Sequence, residues 1–322
     1  MWELTVRRLF QAIFVLLAVS FISFAVFQFT GDPVDAMVGR HTKQATRERL
    51  RERLGLDEPF YIQYMVYLKN VAHGDFGTSY EAKVSALDLI LDRFPASFEL
   101  ALASVLFSVS CGLILGVWTA IRPESFFSST IMSFSLLGIS LPTFLTGILL
   151  MLLFGVQLGW LPVFGRGETT KLIGNWETGY LTISGLKHIL LPAITMGMFQ
   201  MATLLRLTRS NMLETLQNDY ITTARAKGLS ERIVVFKHAL RNALIPVVTI
   251  IGLNFGGLLA FATITETVFQ WPGMGNLLLT SFYENDRPVM VAFLSLIAFV
   301  IVIINLLVDI SYAVINPKIR YE

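Results

Sequence analysis

The sequence predicts an all-α membrane protein with six transmembrane helices and a small helical insert after the first. Three observations carry this. Of 322 residues, 54% are hydrophobic and only 15% charged, and the mean hydropathy is +0.63, unlike a soluble domain. Six stretches lack any charge: Leu9–Thr30, Leu100–Ile121, Phe126–Leu158, Ile189–Leu205, Ala243–Thr265 and Val289–Val308. Each is long enough to cross about 30 Å of hydrocarbon, where a single charge costs roughly 3 kcal/mol. Finally, the short loop between Arg206 and Arg241 carries seven basic residues against three acidic ones. That excess places it, and with six spans both chain ends, on the cytoplasmic side.

The first span follows Arg7 and Arg8, as in a secretion signal. Its apolar run is too long, no small-residue cleavage pattern follows, and five more spans come after, so the sequence predicts a retained helix. Residues 1–30 thus form the cytoplasmic end and first span, and residues 31–97 an extracytoplasmic insert. Loops this long cross regardless of their charge. Thr46 to Leu54 reads as a charged helix ended by Gly55. Asp57 and Pro59 start a second helix with an aromatic face of Phe60, Tyr61, Tyr64 and Tyr67. Ser85 to Phe94 predicts a third, ended by Pro95. The insert packs on the outer ends of the spans, or forms a lip that meets a substrate-delivering protein.

Residues 98–315 hold the other five spans. The third run is over-long, so its span is expected to end before Leu158 with the remainder at the interface. Leu141-Pro142-Thr143 and Leu191-Pro192 are expected to bend the third and fourth spans. Cys111 is the only cysteine and reads as a small buried residue.

The stretch Asn218 to Pro246, NDYITTARAKGLSERIVVFKHALRNALIP, defines two helices. Asp219 is expected to cap a helix over Tyr220 to Lys227, and Gly228 to end it in a left-handed conformation. Ser230 caps a second helix leading into the fifth span. A helix of two turns is marginal alone, so Tyr220–Gly228 is expected to need a docking partner. Thr223, Ala224, Ala226 and Gly228 would leave room for close approach, while Arg225 and Lys227 would offer charge. An ordinary basic loop is the plainer reading of the same residues.

In the fifth span Asn254, Gly256, Gly257, Thr263 and Thr265 are small or polar, suiting helix packing or the lining of a wet cavity. Asn254, Thr263 and Glu266 are the candidates for a pathway lining. In Glu266 to Gly275, ETVFQWPGMG, Pro272-Gly273 fits a type II turn and Trp271 an aromatic belt at the outer interface. Asp309, near the cytoplasmic end of the sixth span, is expected to pair with a basic residue or helix end.

No enzymatic constellation is present. The four histidines, His41, His73, His188 and His238, have no metal-ligand spacing among themselves or with Cys111. Gly165-Arg166-Gly167-Glu168-Thr169-Thr170-Lys171 only faintly suggests a phosphate loop, because the G-K-[ST] ending is missing. A self-contained secondary transporter would show matched repeats, broken helices and intramembrane carboxylates, which charge-free span centres disfavour.

Ala224-Arg225-Ala226-Lys227-Gly228-Leu229, followed by His238-Ala239-Leu240-Arg241-Asn242-Ala243 and Pro246, resembles the EAA loop of ABC-importer permeases. More narrowly it is similar to the B-type permease of dipeptide and oligopeptide uptake systems. Leu54-Gly55-Leu56-Asp57, Gly74-Asp75-Phe76-Gly77-Thr78-Ser79 and the loop at Glu266 resemble the same family, and the likeness runs from Arg7-Arg8 to Asn316-Pro317-Lys318-Ile319-Arg320. Thr222 stands where many importers have Glu, and the gap from Gly228 to Pro246 is longer than in sugar importers; both are usual in the peptide branch.

The resemblance implies a type I ABC importer permease fold, with residues 98–315 as the transmembrane domain, 208–242 as the coupling loop within it and 316–322 as a cytoplasmic tail. It implies that Tyr220, Thr223, Ala224, Arg225, Ala226, Lys227, Gly228 and Leu229 couple to an ATPase. The implied partners are a C-type permease subunit, two ABC ATPase subunits that bind ATP and Mg, an extracytoplasmic solute-binding protein and membrane lipid, with no nucleic acid. This chain itself would bind no cofactor and catalyse nothing, in a prokaryotic inner membrane. The implied cargo is peptides; nickel complexes, glutathione, opines or oligosaccharides are the alternatives.

Overall fold

A computed structural model describes residues 2–29, 34, 43–174 apart from Leu54, and 176–315. The tail from Asn316 to Arg320 and the side chains of Arg7, Arg8 and Asp309 lie outside what is described.

Two long helices form the axis: α4 (Ala86–Ile121) and α7 (Ile183–Leu216). At 1.5 Å per residue each spans about 50 Å, well beyond the hydrocarbon thickness. Small residues let their backbones close up. A Cβ on Gly112 would lie 2.9 Å from Leu204 Cβ, one on Gly116 2.7 Å from Thr208 Cβ, and one on Gly197 2.6 Å from the Ser104 carbonyl oxygen. Gly112-Leu113-Ile114-Leu115-Gly116 is thus a small-xxx-small packing face. The partners advance together along both chains, so α4 and α7 run parallel.

Parallel neighbours need a return connection. It is supplied by α5 (Phe126–Ser140), by α6 (Thr143–Leu150) with its π-helical extension Met151–Gln157, and by the hairpin of β1 (Thr170–Ile173) and β2 (Trp176–Thr178). The two helical pieces meet at 113°. Leu141 is extended, with φ −84° and ψ 133°, as the ring of Pro142 demands of the residue before it. The over-long third stretch is therefore bent at Leu141-Pro142, as expected, but so sharply that it is two helices joined by a break, the second ending at Gln157, just before Leu158. Pro95 and Pro192 sit inside continuous helices, while Pro246 lies in α10 at a 47° bend. Pro95 consequently does not end the insert's third helix, which is the first part of α4.

The insert holds α2 (Gln44–Arg53) and α3 (Phe60–Ala72). The aromatic face of α3 lies sideways on α1 (Trp2–Phe29), with Phe24 stacked on Tyr67 at 5.2 Å and Phe21 edge-on to Tyr64 at 5.2 Å. The Tyr64 hydroxyl donates to Leu17 O at 3.2 Å, and Tyr67 shares a hydrogen bond with Ser295 at 3.3 Å. The insert thus flanks the helices instead of only covering their ends.

After α7 the chain turns through α8 (Asp219–Ala226), α9 (Glu231–Ile233) and a π-helical turn, Val234–Ala239, into α10 (Leu240–Phe261). The short helices α11 (Thr263–Val268) and α12 (Met274–Tyr283) lead to α13 (Arg287–Ile315), which packs on α1 and α10. Among the described residues, α4, α7 and Arg287–Leu307 are long and apolar enough to cross a membrane. The α5–α6 pair and the bent run from Glu231 to Ala260 raise that to five, and Phe10–Val26 of α1 is a shorter apolar stretch. The main core joins α4, α7, α10, α12 and α13 through Leu100, Ala193, Leu259, Met274 and Phe293.

Candidate functional site

The two ends of the bundle carry the functional candidates, and they are built differently. At one end lies α8. Thr223 Oγ1 donates to Asp219 O at 2.9 Å, and Gly228 closes the helix at φ +77°, its N–H donating to Arg225 O at 2.9 Å. A Cβ on Gly228 would meet nothing within 4 Å, so glycine is required for its backbone angle and not for close approach within this chain. The cap is Asn218 rather than Asp219, which occupies the first turn and complements the helix dipole.

Ile221 is fully buried and Ala224 nearly so. They rest on an apolar platform of Val117 and Ala120 from α4, Met212 from α7, and Val234, Val235, Ala239 and Ala243. The short helix is therefore propped by its own chain. This corrects the expectation that it lacks support without a second subunit; burying a residue such as Ile221 is worth about 1.5–3 kcal/mol. Ala224 also faces inward and offers no room to a partner.

The opposite face is open. Tyr220, Thr222, Thr223, Arg225, Ala226, Lys227, Gly228 and Leu229 are exposed. The Arg225 Nη2 and Nε hydrogens go to the Glu231 carboxylate at 2.7 and 3.2 Å. That hydrogen bond holds the Glu231 carboxyl below the usual carboxylate range. Asn242 Nδ2 donates to the Tyr220 hydroxyl at 2.8 Å. The result is a fixed convex ridge of small and basic residues.

At the other end, buried carboxylates hold the loops. Glu99, on α4, is 2% exposed. It accepts from Arg166 Nη2 at 2.7 Å and Nε at 3.2 Å, and from the Gly179 N–H at 3.2 Å. The Tyr180 hydroxyl donates to Glu99 O at 2.6 Å, and burial beside that carboxylate pushes its pKa up to about 12. Arg166 belongs to the glycine-flanked run that faintly suggested a phosphate loop, and Thr170 and Lys171 are in a strand, where such a loop needs a helix start.

Glu266 is fully buried. Its carboxylate accepts from Ser97 Oγ at 2.5 Å and Asn276 N at 2.9 Å, while Ser97 Oγ accepts from Met274 N at 2.7 Å. Trp271 Nε1 donates to Ala96 O at 2.9 Å, and Trp271 is 1% exposed. It is an interior anchor and not an interfacial belt residue. The carboxylate also dictates Gly273, where a Cβ would lie 2.2 Å from Glu266 Oε1. Gly273 has φ −99° and the positive φ falls on Gln270, at 49°, so Pro272-Gly273 is not a type II turn. A third buried carboxylate, Asp286, takes the Ser79 hydroxyl and the Tyr80 N–H at 3.1 Å.

Of the pathway candidates, Asn254 and Thr263 are half-buried while Glu266 lies wholly inside the latch around Ser97. The structure does not bring the three onto one open surface. Glu99, Arg166, Ser97 and Asp286 were missed as a group. The available signals were a lone Glu one residue before an apolar run and a lone Arg between two glycines.

Known proteins agree with this architecture. The family described as binding-protein-dependent transport system inner membrane component matches residues 112–321, and its N-terminal companion matches residues 1–101. The chain is 42% identical over 330 residues to the di/tripeptide transport system permease protein DppB of Pseudomonas aeruginosa, covering 98% of each. It is 38% identical over 323 residues to the glutathione transport system permease protein GsiC of Escherichia coli, covering all of both. An inward-facing structure of the MetNI methionine ABC transporter superposes with a TM-score of 0.55 at 17% identity, covering 71% of this chain and 96% of that one. The fold is thus that of an ABC-importer membrane subunit, and the chain belongs to the family of binding-protein-dependent transport system inner-membrane components.

Proposed function

We propose that this chain forms half of the membrane pathway of an ATP-driven importer of di- and tripeptides. The other half is a C-type permease. Two ATPase subunits, carrying ATP and Mg, dock at the end bearing α8, and an extracytoplasmic binding protein delivers solute at the hairpin end. The basic excess of residues 206–241 supports a cytoplasmic α8, and with it cytoplasmic termini.

One observation carries the reading: α8 shows a rigid, open, basic ridge whose underside is fixed to the ends of α4, α7 and α10. Force applied to Tyr220–Leu229 therefore reaches three long helices directly. ATP drives alternating access through its different affinity for the two conformations. Asn254 and Thr263 line the pathway, while Glu266 holds the outer loop. Di/tripeptides and glutathione, the cargoes named for the two relatives, share a short peptide-like backbone.

The test is Gly228→Glu in the assembled transporter. A side chain forced into φ +77° and projecting a negative charge at the ridge should abolish uptake while membrane insertion is retained. Normal uptake with substrate-stimulated ATP hydrolysis in that variant contradicts the coupling role.

A further inference from the structure

The neutral middle of the bundle holds a polar group that the fold leaves unsatisfied. Gln200, at the centre of α7, is 2% exposed, and both Nε2 and Oε1 are buried without a hydrogen-bond partner. An amide stripped of water and left unpaired is costly, so buried carboxamides are almost always bonded. Here the cost falls in an apolar span, where a leucine would fit the same space.

A second carboxamide, Asn254, lies on the neighbouring helix α10. Asn211 Nδ2 donates to Ala243 O at 3.3 Å and sets the register of the antiparallel helices α7 and α10. Eleven residues back from Asn211 is Gln200, and eleven on from Ala243, past the 47° bend at Pro246, is Asn254, so the count brings the two carboxamides to neighbouring turns of α7 and α10. Around Asn254 the helix surface is uncrowded. Asn254 and Gly257, three residues apart, share one face and are only half-buried, and a Cβ on Gly257 would meet nothing within 4 Å.

We propose that Gln200 and Asn254 form a mid-membrane subsite for the amide backbone of the transported solute, a step that rests on the importer reading above. A carboxamide offers two N–H donors and one carbonyl acceptor. The C=O and N–H of a trans peptide unit point to opposite sides of the chain, so one carboxamide donates to the C=O while the other accepts from the N–H, whatever side chains the peptide carries. No charge lies in the Ile189–Leu205 or Ala243–Thr265 stretch to discriminate among those side chains. The subsite is closed in this conformation and is completed when α7 and α10 part.

The test uses the complete transporter in proteoliposomes with saturating binding protein. It compares a tripeptide with its analogue N-methylated at the central peptide bond. Gln200→Leu is expected to lower uptake of the unmodified peptide about tenfold, the scale of a lost hydrogen bond, and to bring the two peptides' rates together. Selectivity of the binding protein is common to wild type and variant and divides out. The melting temperature of Gln200→Leu should equal or exceed that of wild type, since Leu keeps the volume and removes the orphaned amide. Unchanged uptake with an unchanged ratio overturns the subsite, and so does an equal fall for both peptides. If wild type moves neither peptide with ATP, the importer reading itself fails.

Discussion

At the hairpin end Glu99, Glu266 and Asp286 are buried and bound by hydroxyls, backbone N–H groups and Arg166, whereas at the other end α8 lies on alkyl side chains and shows its charges to solvent. Directional bonds in a dry setting fix loops in one geometry, and breaking any one leaves a buried charge unpaired. Apolar contacts fix position without fixing direction and leave polar groups free for another surface. The first end is built as a latch and the second as a mount. On the importer reading proposed above, the latch keeps the loops in one geometry and the mount is where force enters.

The contrast breaks most severely at Glu99. Glu99→Ala strands Arg166 in a buried setting and should cost about 3–5 kcal/mol, read as a lowered melting temperature and faster proteolysis of the hairpin over residues 165–179. A loss under about 1 kcal/mol would place the pair among ordinary surface ion pairs. Ile221→Ala attacks the mount. It should cost about 2–5 kcal/mol in the loop-end packing and increase protease access to residues 218–230, while the hairpin stays as resistant as in wild type. Equal loosening of both ends in that variant would show that they are not independent. Arg225→Ala is the mildest, because its ion pair with Glu231 is solvent-exposed. Its effect on stability should stay within about 1 kcal/mol, although uptake falls if the ridge is the docking surface.

Much of the architecture was legible because it follows from periodicity and polarity. The apolar stretches, the helix over Asp219–Ala226 and the left-handed stop at Gly228 all come from local rules. Leu141-Pro142 illustrates where those rules end: proline at this site turns the chain direction by 113° and Pro246 turns it by 47°, while Pro95 and Pro192 are accommodated within helices. The choice is made by neighbours distant in sequence. For the same reason Trp271 reads as an interfacial anchor yet lies buried on the Ala96 carbonyl. The latch was hardest to see, since Ser97 and Glu266 are 169 positions apart and nothing in either segment names the other. Support for α8 was misjudged likewise, because Val117, Met212 and Ile221 come together only once α4 and α7 run parallel.

Hydrogen–deuterium exchange of the chain with its partner permease, with and without the ATPase subunits, reads the mount and the latch in one experiment. Adding the ATPase should slow exchange across residues 219–229 and leave residues 165–179 unchanged. Protection at the hairpin with none at 219–229 would contradict the assignment of α8 as the surface where the ATPase acts.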